Sequence, residues 1–404
     1  MSDALIIVGK GMAATRLVEE LANRGLGRHA IAVIGAEPRP AYNRVLLSPL
    51  LAGEIAEADI ELKPPLWWQS KGVSTLYGTA VARIDPVART VTLADGLALP
   101  FKHLVLATGS RPLRPPIPGI DLPGIMTFRD APDVEAMRAR AQAGQRIVVI
   151  GGGLLGLEAA YGLKRAGADV TVLHLVDRLM ERQLDAEAAA ILARAILAKG
   201  IHVRLKAATK AFLGTDRVTG VELAGGEIIP ADLVVLSIGV RPNVELAAQS
   251  GITTGRGIQV DDAMESSQPG IFALGECAEH RGQVYGLVEP AYEQARVLAD
   301  RLSGGSAHYE GSVLSTNLKV SGTGVFSAGE FEGSEGCEIA LLQDEACGTY
   351  RKFVYRGSQL VGCILIGDTQ GALWYLRLIR EGIDVSLFRR DLPFGESFCT
   401  AVAA

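Results

Sequence analysis

Apolar runs that alternate with amphipathic stretches predict two β-α-β units in this chain of 404 residues. One segment, starting at Ala4, reads ALIIVGKGMAATRLVEELANRGL, and another, starting at Arg146, reads RIVVIGGGLLGLEAAYGLKRAGADVTVLH. In each, a short β-branched run precedes a group of glycines, helical spacing of apolar residues and a further apolar run. The same unit therefore occurs twice.

A second repeat supports this duplication. The segment Leu99–Pro112 reads LPFKHLVLATGSRP and the segment Ile229–Pro242 reads IPADLVVLSIGVRP, each with a proline nine positions before a glycine that ends an apolar run. The second β-α-β unit lies between the first of these segments and a later strand pattern, SQPGIFALGECAEH. We therefore predict two copies of one Rossmann-like domain in an α/β fold, with the second copy inserted in the first.

The sequence from about residue 313 has a different pattern. The segments STNLKVSGTGVFSAGEF, CEIALLQ, TYRKFVYR and QLVGCILIG alternate apolar and polar residues and predict an antiparallel sheet, and ALWYLRLIREG has helical spacing. This indicates a C-terminal α+β domain. The expected division is 1–112 with 241–312, then 113–240, then 313–404.

Composition narrows the function classes. The chain is 48% hydrophobic and 21% charged, and its net charge of −5 gives no basic field that would favour nucleic acid. No run approaches the ~20 apolar residues of a membrane span, and the start of the chain has no signal-peptide pattern. The five cysteines form neither C-x-x-C nor C-x-x-x-x-C pairs, so we expect a cytoplasmic protein without a metal site; they are Cys277, Cys337, Cys347, Cys363 and Cys399.

The first glycine group has the spacing of a dinucleotide-binding loop. Gly9, Gly11 and Ala14 form G-x-G-x-x-A between a strand and a helix. The first glycine permits the tight turn, the second allows the backbone to approach a pyrophosphate, and the third position must be small for helix packing. Glu37 follows the next apolar run and is placed to accept hydrogen bonds from a ribose diol.

The second glycine group is a full G-x-G-x-x-G, formed by Gly151, Gly153 and Gly156. Two such loops in one chain imply two dinucleotides, one of which reduces the other. After the second strand of this unit stands His174, with Arg178 nearby, where an acid would favour NADH and an arginine cluster NADPH. The interpretation favours NADH and leaves NADPH open, and either residue is equally well an ordinary surface side chain.

These motifs carry a family resemblance. Together with ATGS at Ala107–Ser110 and GIFALGECAE at Gly270–Glu279, they resemble the flavoproteins with two dinucleotide-binding domains. The resemblance implies FAD in the first domain and NAD(P)H in the second. The segments EPRPAYNRVLLS, RLMERQLD and STNLKVSGTGVFSAG further resemble the flavin-containing N-terminal part of NAD(P)H nitrite reductase large subunits and the electron-transfer subunits of assimilatory nitrate reductases.

The resemblance also implies roles for single residues. Glu276 would hold the flavin ribityl chain, where most relatives have aspartate, and Arg44 would contact FAD phosphate. The helix that follows Glu289, with Pro290 at its first position, would point at the flavin. The cofactor-binding turns implied in addition are Thr108, Gly109, Gly239 and Gly275.

Three residues are expected near the nicotinamide and flavin rings by the same resemblance. Glu158 follows the second glycine loop and would lie beside the nicotinamide, with Leu155 packed near it. Lys319 lies on a tail strand that approaches the flavin in the family and is a candidate to pair with Glu158. We therefore assign Glu158 and Lys319 as candidate catalytic residues.

The segment Tyr42–Glu54 lacks a cysteine, although this family often carries its redox-active thiols here. Disulfide reductases have a C-x-x-x-x-C pair in this region, peroxidase-like relatives have one cysteine after the Leu-Ser, and rubredoxin reductase-like relatives often have lysine. Here Leu47 and Ser48 are followed by Pro49. No thiol relay can operate at this position, so electrons are expected to leave directly from the flavin.

The resulting hypothesis is an FAD-dependent NAD(P)H oxidoreductase. It would pass electrons to a separate redox protein, either ferredoxin- or rubredoxin-like or a nitrate or nitrite reductase component. Nitrite reduction by this polypeptide alone is not expected, because it has no cysteine cluster for an iron–sulfur or sirohaem centre. Two alternatives stay open: an NADH oxidase that reduces oxygen directly, and a non-catalytic redox-sensing flavoprotein.

Overall fold

The computed structural model describes residues 3–26, 29–320 and 322–399, with residues 318–320 described by their backbone alone. None of the helices in these ranges combines the length and the hydropathy that a membrane-spanning segment requires. The α-helices are α1 Met12–Asn23, α2 Leu47–Leu51, α3 Pro65–Ser70, α4 Ala131–Arg140, α5 Leu154–Arg165, α6 Ala186–Ala198, α7 Glu245–Gln249, α8 Val288–Leu302, α9 Ala372–Glu381 and α10 Glu396–Cys399. Short 3₁₀ turns lie at Arg44–Leu46, Glu57–Ile60, Gly275–Cys277 and Leu392–Phe394.

The strands of the described residues follow in chain order. They are β1 Asp3–Val8, β2 His29–Gly35, β3 Ser74–Tyr77, β4 Val81–Asp85, β5 Thr90–Leu93, β6 Ala98–Pro100, β7 His103–Leu106, β8 Ser110–Pro112, β9 Ile125–Thr127, β10 Arg146–Ile150, β11 Asp169–Leu173, β12 His202–Arg204 and β13 Thr209–Leu213. They continue as β14 Gly220–Leu223, β15 Ile228–Pro230, β16 Leu233–Leu236, β17 Val240–Pro242, β18 Ile258–Val260, β19 Ile271–Ala273, β20 Ala278–His280, β21 Gln283–Val284, β22 Ser315–Val320, β23 Thr323–Gly329, β24 Glu338–Asp344, β25 Thr349–Arg356 and β26 Gln359–Gly367.

The chain divides into two compact units. The first contains Met1–Leu50, Ile55–Pro112 and Gly239–Ser312. The second contains Leu51–Glu54, Leu113–Ile238 and Val313–Ala404. The division into three domains that the sequence suggests stays a prediction.

The first unit is built around a parallel sheet of order β19-β7-β1-β2-β3. The strands β1, β2, β7 and β19 are short, mostly buried apolar runs, as expected for a sheet that is covered on both faces, whereas the edge strand β3 has no buried residue. Helix α1 connects β1 to β2 and packs against α8. A parallel connection of this kind places the turn after β1, which carries the first glycine group, at the carboxyl edge of the sheet.

The second unit repeats this plan with a parallel sheet of order β12-β11-β10-β16-β9. Helix α5 connects β10 to β11, and the second glycine group covers the turn between β10 and α5 and the first turn of α5. The registers of the two units agree, since Val8 pairs with Ile34 in the first and Ile150 pairs with Leu173 in the second. The two loops can therefore be compared position by position.

The C-terminal part of the second unit is an antiparallel sheet of order β22-β23-β26-β25-β24. Helix α9 packs on this sheet and buries Tyr375 against Phe353, with ring centroids 4.9 Å apart. The expected antiparallel sheet and its helix are confirmed. The α/β fold class with two Rossmann-like units and a C-terminal α+β region is confirmed with them.

Candidate nucleotide-binding sites

The first glycine loop is closed by contacts that only glycine permits. Gly9 has φ of +109°, and a Cβ at this residue would lie 2.0 Å from the carbonyl oxygen of Ala107. A Cβ on Gly11 would meet no atom within 4 Å. Ala14 is fully buried where helix α1 packs on the sheet. The first and third positions are thus fixed by the protein's own packing, and the second faces open space.

The second loop has the same geometry. Gly151 has φ of +118°, and its added Cβ would lie 2.1 Å from the carbonyl oxygen of Ser237. A Cβ on Gly156 would lie 1.9 Å from the oxygen of Gly151, whereas one on Gly153 would meet nothing within 4 Å.

Both loops fit a bound pyrophosphate. Gly11 and Gly153 are the N-cap residues of α1 and α5, and neither helix has a side-chain hydrogen bond at its cap. The first N–H groups of each helix have no intrahelical acceptor, and the helix dipole adds positive potential at the same place. Open space beside uncapped N–H groups is the arrangement that accommodates a dinucleotide phosphate.

Glu37 of the first unit contacts one aromatic and one cationic side chain, Tyr42 and Arg44. Its carboxylate accepts a hydrogen bond from the Tyr42 hydroxyl at 2.9 Å and pairs with the Arg44 guanidinium. Arg44 also lies over the Tyr42 ring, 5.0 Å from its centroid. The carboxylate expected at the ribose is therefore held in place, and the arginine expected at FAD phosphate is bound to it.

Lys10, the variable residue of the first loop, has a role that the sequence did not indicate. It is 8% exposed, and its Nζ donates to the carbonyl oxygens of Glu37, at 3.2 Å, and Arg39. It also lies 3.6 Å from the centroid of the Tyr77 ring. Burial lowers the pKa of Lys10 from 10.5 to about 8, although the nearby Glu37 charge opposes this shift. Lys10 thus ties the loop to the chain that carries Glu37.

The ATGS turn is fixed by Asn243, which sequence reasoning missed. Asn243 donates from Nδ2 to the oxygen of Thr108 at 2.8 Å, and Thr108 donates from Oγ1 to the oxygen of Asn243 at 2.9 Å. Gly109 and Gly239 both have positive φ and precede β8 and β17, which pair as an antiparallel ribbon. The only sequence signal was the RPN that follows Gly239.

The ribbon places Ser110 against the candidate ribityl-binding residue. The Ser110 hydroxyl donates to Glu276 Oε2 at 2.9 Å. Gly275 has φ of +80°, donates its N–H to buried Gln294 at 2.7 Å, and would place a Cβ 3.0 Å from that of Ala13. The ATGS turn, the Gly-Glu motif and the start of α1 are therefore brought together within the first unit.

Helix α8 begins earlier than the sequence analysis placed it. We expected Pro290 at the first helical position after Glu289, but the helix starts at Val288. Proline is tolerated here because N–H groups throughout the first turn have no intrahelical acceptor, so one missing N–H breaks no bond. Glu289 is thus part of the first turn, not the residue before it.

The candidate nicotinamide residues lie on α5. Leu155 and Glu158 are half-buried and three positions apart, so they share one face of the helix. The backbone of Lys319 pairs with Gly324 in the C-terminal sheet, but its side chain lies outside the described part of the structure. A pairing of Glu158 with Lys319 stays a prediction.

His174 is buried, in contrast to the alternative of a surface side chain. It is 7% exposed, its Nδ1 accepts the Gly152 N–H at 3.0 Å, and its Nε2 lies 3.1 Å from Glu181 Oε2. Arg178 donates to Glu332 at 3.0 Å and to the oxygen of Leu184 at 3.3 Å. Glu181 was missed, although it stands in the quoted RLMERQLD segment.

The segment expected to carry a cysteine in many relatives forms a short helix here. Pro49 lies within α2, and Cys277 ends the 3₁₀ turn Gly275–Cys277 of the same unit. This thiol is fully buried, its Sγ lies 3.4 Å from each of the carbonyl oxygens of Leu106 and Leu274, to one of which it can donate, and burial raises its pKa. Among the described residues no group of three or more His, Cys, Asp or Glu side chains could hold a metal ion.

Comparisons with known proteins agree with this geometry. Residues 3–295 match the model of the pyridine nucleotide-disulphide oxidoreductase family, and residues 315–383 match the C-terminal domain of rubredoxin NAD+ reductase. An NAD(P)H nitrite reductase of Bacillus subtilis (strain 168) is 45% identical over 95% of this chain and 48% of that protein. An assimilatory nitrate reductase electron transfer subunit of the same organism is 39% identical over 96% of this chain and 50% of that protein.

The chain thus spans about half the length of these two relatives. The solved structure of a covalent putidaredoxin reductase–putidaredoxin complex matches 100% of this chain and 99% of that chain, at 28% identity and a TM-score of 0.89. The resemblance inferred from the sequence is confirmed, and members of the matched family bind FAD and NAD(P)H. This chain belongs to the pyridine nucleotide-disulphide oxidoreductase family.

Proposed function

We propose that this chain is an FAD-dependent oxidoreductase that takes hydride from NAD(P)H and passes the electrons to a separate iron–sulfur protein or to a nitrate or nitrite reductase component. One observation carries the proposal: the chain has two uncapped glycine loops of matching geometry, which is what two dinucleotides in one protein require. The family match supports FAD at the first loop and NAD(P)H at the second.

The chain's own residues would hold the nucleotides rather than perform the chemistry. The N–H groups that follow Gly11 and Gly153 bind the phosphates. Glu37 accepts ribose hydroxyls while Tyr42 keeps its carboxylate in place, and Glu276, held by Ser110, takes the ribityl chain. A bound flavin supplies the conversion of one two-electron donor into single-electron transfers.

We further propose that no cysteine takes part in the electron transfer. Burial raises the pKa of the Cys277 thiol and raises that of Cys363 to about 12, which disfavours the reactive thiolate. The pKa of half-buried Cys337 is lowered, first by the backbone N–H of Ser334, but this residue belongs to the C-terminal sheet region of the second unit. Pro49 follows Leu47-Ser48, where the resemblance to peroxidase-like members of the family would imply a cysteine.

The proposed acceptor is a protein. The names of two relatives support this, since one is an electron transfer subunit and the other a reductase solved together with putidaredoxin. The chain spans about half the length of its nitrite and nitrate reductase relatives, and its match to the pyridine nucleotide-disulphide oxidoreductase family supports the proposal that this half oxidises NAD(P)H. We expect it to act in the cytoplasm, as the absence of cysteine pairs in the sequence suggests.

An anaerobic titration of the yellow protein tests the proposal. NADH or NADPH is expected to bleach the flavin bands rapidly, a small ferredoxin or rubredoxin added as a probe to restore them rapidly, and air to restore them slowly. Fast return in air with peroxide formation would instead indicate an NADH oxidase. Slow bleaching at saturating nucleotide would contradict the oxidoreductase and favour a redox sensor.

Replacement of all five cysteines by serine tests the role of thiols. Flavin reduction by NADH and reoxidation by the protein probe are expected to keep their rates. A large loss of either rate, in a variant that retains its FAD and its circular dichroism spectrum, would contradict electron transfer without a cysteine.

A further inference from the structure

The segment that follows β11 folds back onto the second glycine loop. The Gly152 N–H donates to His174, and the Gly152 oxygen accepts the N–H of Met180 at 3.0 Å. Leu179 and Met180 are fully buried, and Met180 has φ of +50°, a conformation that a bulky residue adopts only when its surroundings hold it there. Glu181, the next residue, is thereby fixed close to the loop.

The hydrogen bonds of His174 indicate which of its two ring nitrogens carries the proton. Since Nδ1 accepts the N–H of Gly152, it carries no proton, and in the neutral ring Nε2 must carry it. Nε2 therefore donates to Glu181 Oε2 at 3.1 Å. The ring comes this close only because residue 152 has no side chain, for a Cβ there would lie 2.8 Å from His174 Cγ.

The second unit has no acid at the position that matches Glu37 of the first unit. In the first unit, Glu37 stands three positions after Ile34, which pairs with Val8. The matching position in the second unit, three after Leu173, is Val176. An acid at this edge of a dinucleotide-binding sheet accepts hydrogen bonds from a ribose diol. Glu181 reaches the same edge from the folded-back segment.

We propose that Glu181 is the residue that selects NADH over NADPH, by accepting hydrogen bonds from the adenosine ribose hydroxyls and repelling a 2′-phosphate, and that His174 positions it. The assignment rests on the proposed function of the second loop as the NAD(P)H site. The Glu181 side chain is 33% exposed, and one hydrogen bond to His174 leaves a carboxylate with further acceptor capacity.

Arg178, three residues before Glu181, does not offset this charge. Arg178 donates to Glu332 at 3.0 Å and to the backbone oxygen of Leu184 at 3.3 Å, and it lies 3.7 Å from Asp177. A 2′-phosphate that approached Arg178 would have to compete with two carboxylates and would meet their negative charge. The Glu181 carboxylate and the pairing of Arg178 with other carboxylates thus both favour the nucleotide without a 2′-phosphate.

Binding of two probes to the FAD-loaded full chain tests the assignment. Isothermal titration calorimetry is expected to give tighter binding of ADP-ribose than of 2′-phospho-ADP-ribose to the wild type. Glu181→Gln keeps the size of the side chain and removes its charge, so the ratio of the two dissociation constants is expected to fall about tenfold. Glu187→Gln, at an exposed acid in the first turn of α6, is the charge-matched control and should leave the ratio unchanged.

Two His174 variants separate positioning from a structural role. His174→Asn keeps an acceptor for the Gly152 N–H but cannot reach Glu181, so the ratio should fall as in Glu181→Gln. His174→Gln can reach Glu181 and should keep most of the discrimination. If the two variants lower the thermal stability alike but leave the ratio at its wild-type value, His174 does not position the acid and that part of the assignment is overturned.

The remaining outcomes distinguish the two proposals. An unchanged ratio in Glu181→Gln, or a loss of discrimination in Asp177→Asn instead, overturns the assignment of Glu181 while the NAD(P)H site stands. Failure of the wild type to bind either probe overturns the proposed function of the second loop and the assignment together. The ratio of kcat/KM for NADPH and NADH should follow the binding ratio through the series.

Discussion

The two glycine loops have the same backbone arrangement, and in each the residue after the first glycine contacts the residue at the end of the next strand. The bulky partner of this contact lies in the loop in the first unit and at the strand end in the second unit. The strand registers make Gly35 and His174 equivalent positions. In the first loop the large residue is Lys10, and a Cβ on Gly35 would lie 2.7 Å from Lys10 Cβ. In the second loop the large residue is His174 and the small one Gly152.

This exchange of size changes what each loop is connected to. Lys10 extends from the loop to the backbone that follows β2 and donates to the oxygens of Glu37 and Arg39. His174 instead extends from the strand end towards the loop and joins Gly152 to Glu181. One fold plan thus acquires a cation at the first nucleotide site and an imidazole–carboxylate pair at the second. The contact between loop and strand end is where the two sites differ in chemistry.

The largest expected effect comes from the first glycine of each loop. Gly9→Ala and Gly151→Ala combine a strained positive φ with a Cβ at only 2.0 Å and 2.1 Å from a backbone oxygen, so each should destabilise its unit by about 3 kcal/mol or more. Gly9→Ala should purify without flavin, and Gly151→Ala should keep flavin that NADH no longer bleaches. Flavin absorbance per protein, bleaching rate and urea unfolding measure these outcomes.

The second glycines provide the matched variants. A Cβ on Gly11 or Gly153 meets no protein atom, so Gly11→Ala and Gly153→Ala should keep the free energy of unfolding within about 1 kcal/mol of the wild type. The added methyl group would occupy the space left for the phosphates, so each variant should still lose affinity for its own nucleotide. Equal loss of FAD in Gly9→Ala and Gly151→Ala would contradict the assignment of FAD to the first loop and of NAD(P)H to the second.

The next effect in size concerns the exchanged contact itself. Gly152→Ala places a Cβ 2.8 Å from His174 Cγ and 2.6 Å from Leu179 Cδ2, an overlap expected to cost about 1–3 kcal/mol. In a His174→Ala background the same change should cost at least about 1 kcal/mol less, because one of the two clashes is gone. A double-mutant cycle by urea unfolding measures this coupling. Additive effects of the two substitutions would show that the sizes of the side chains at positions 152 and 174 are not coupled energetically.

Much of this architecture could be predicted because it depends on local patterns. Apolar runs, glycine spacing and helical periodicity are short-range signals, and they identified both β-α-β units and the antiparallel C-terminal sheet. The third position of each motif was also predictable, since only Ala14 or Gly156 fits between helix and sheet. The start of α8 was placed two residues late, because proline is acceptable anywhere in a first turn.

The contacts of the candidate sites were less predictable, since they join residues that are distant in sequence. Asn243 fixes the turn at Thr108 across 135 positions, and Gln294 holds Gly275 from the middle of a helix. Glu181 is unpredictable for another reason: spacing rules place the acid at the end of a strand, whereas here the chain folds back and brings the acid to His174 from seven residues further on. Spacing rules do not report such a return.

The smallest expected effect is a pH dependence that belongs to the first loop alone, through Lys10. Its pKa falls from 10.5 in the unfolded chain to about 8 in the folded one, chiefly through burial. Between these values the unfolded state binds more protons, so the free energy of unfolding should rise with pH across the window from about 8 to 10.5 and level off on either side. After solvent screening the rise should be about 1 kcal/mol.

Lys10→Met keeps the length of the side chain and removes the titrating group, so its stability should lack this rise, whereas Lys71→Met, at an exposed lysine after α3, should retain it. Urea unfolding below pH 8 and near pH 10.5 measures the difference, and a rise of equal size in Lys10→Met would assign it to other groups and leave the two loops alike in their response to pH.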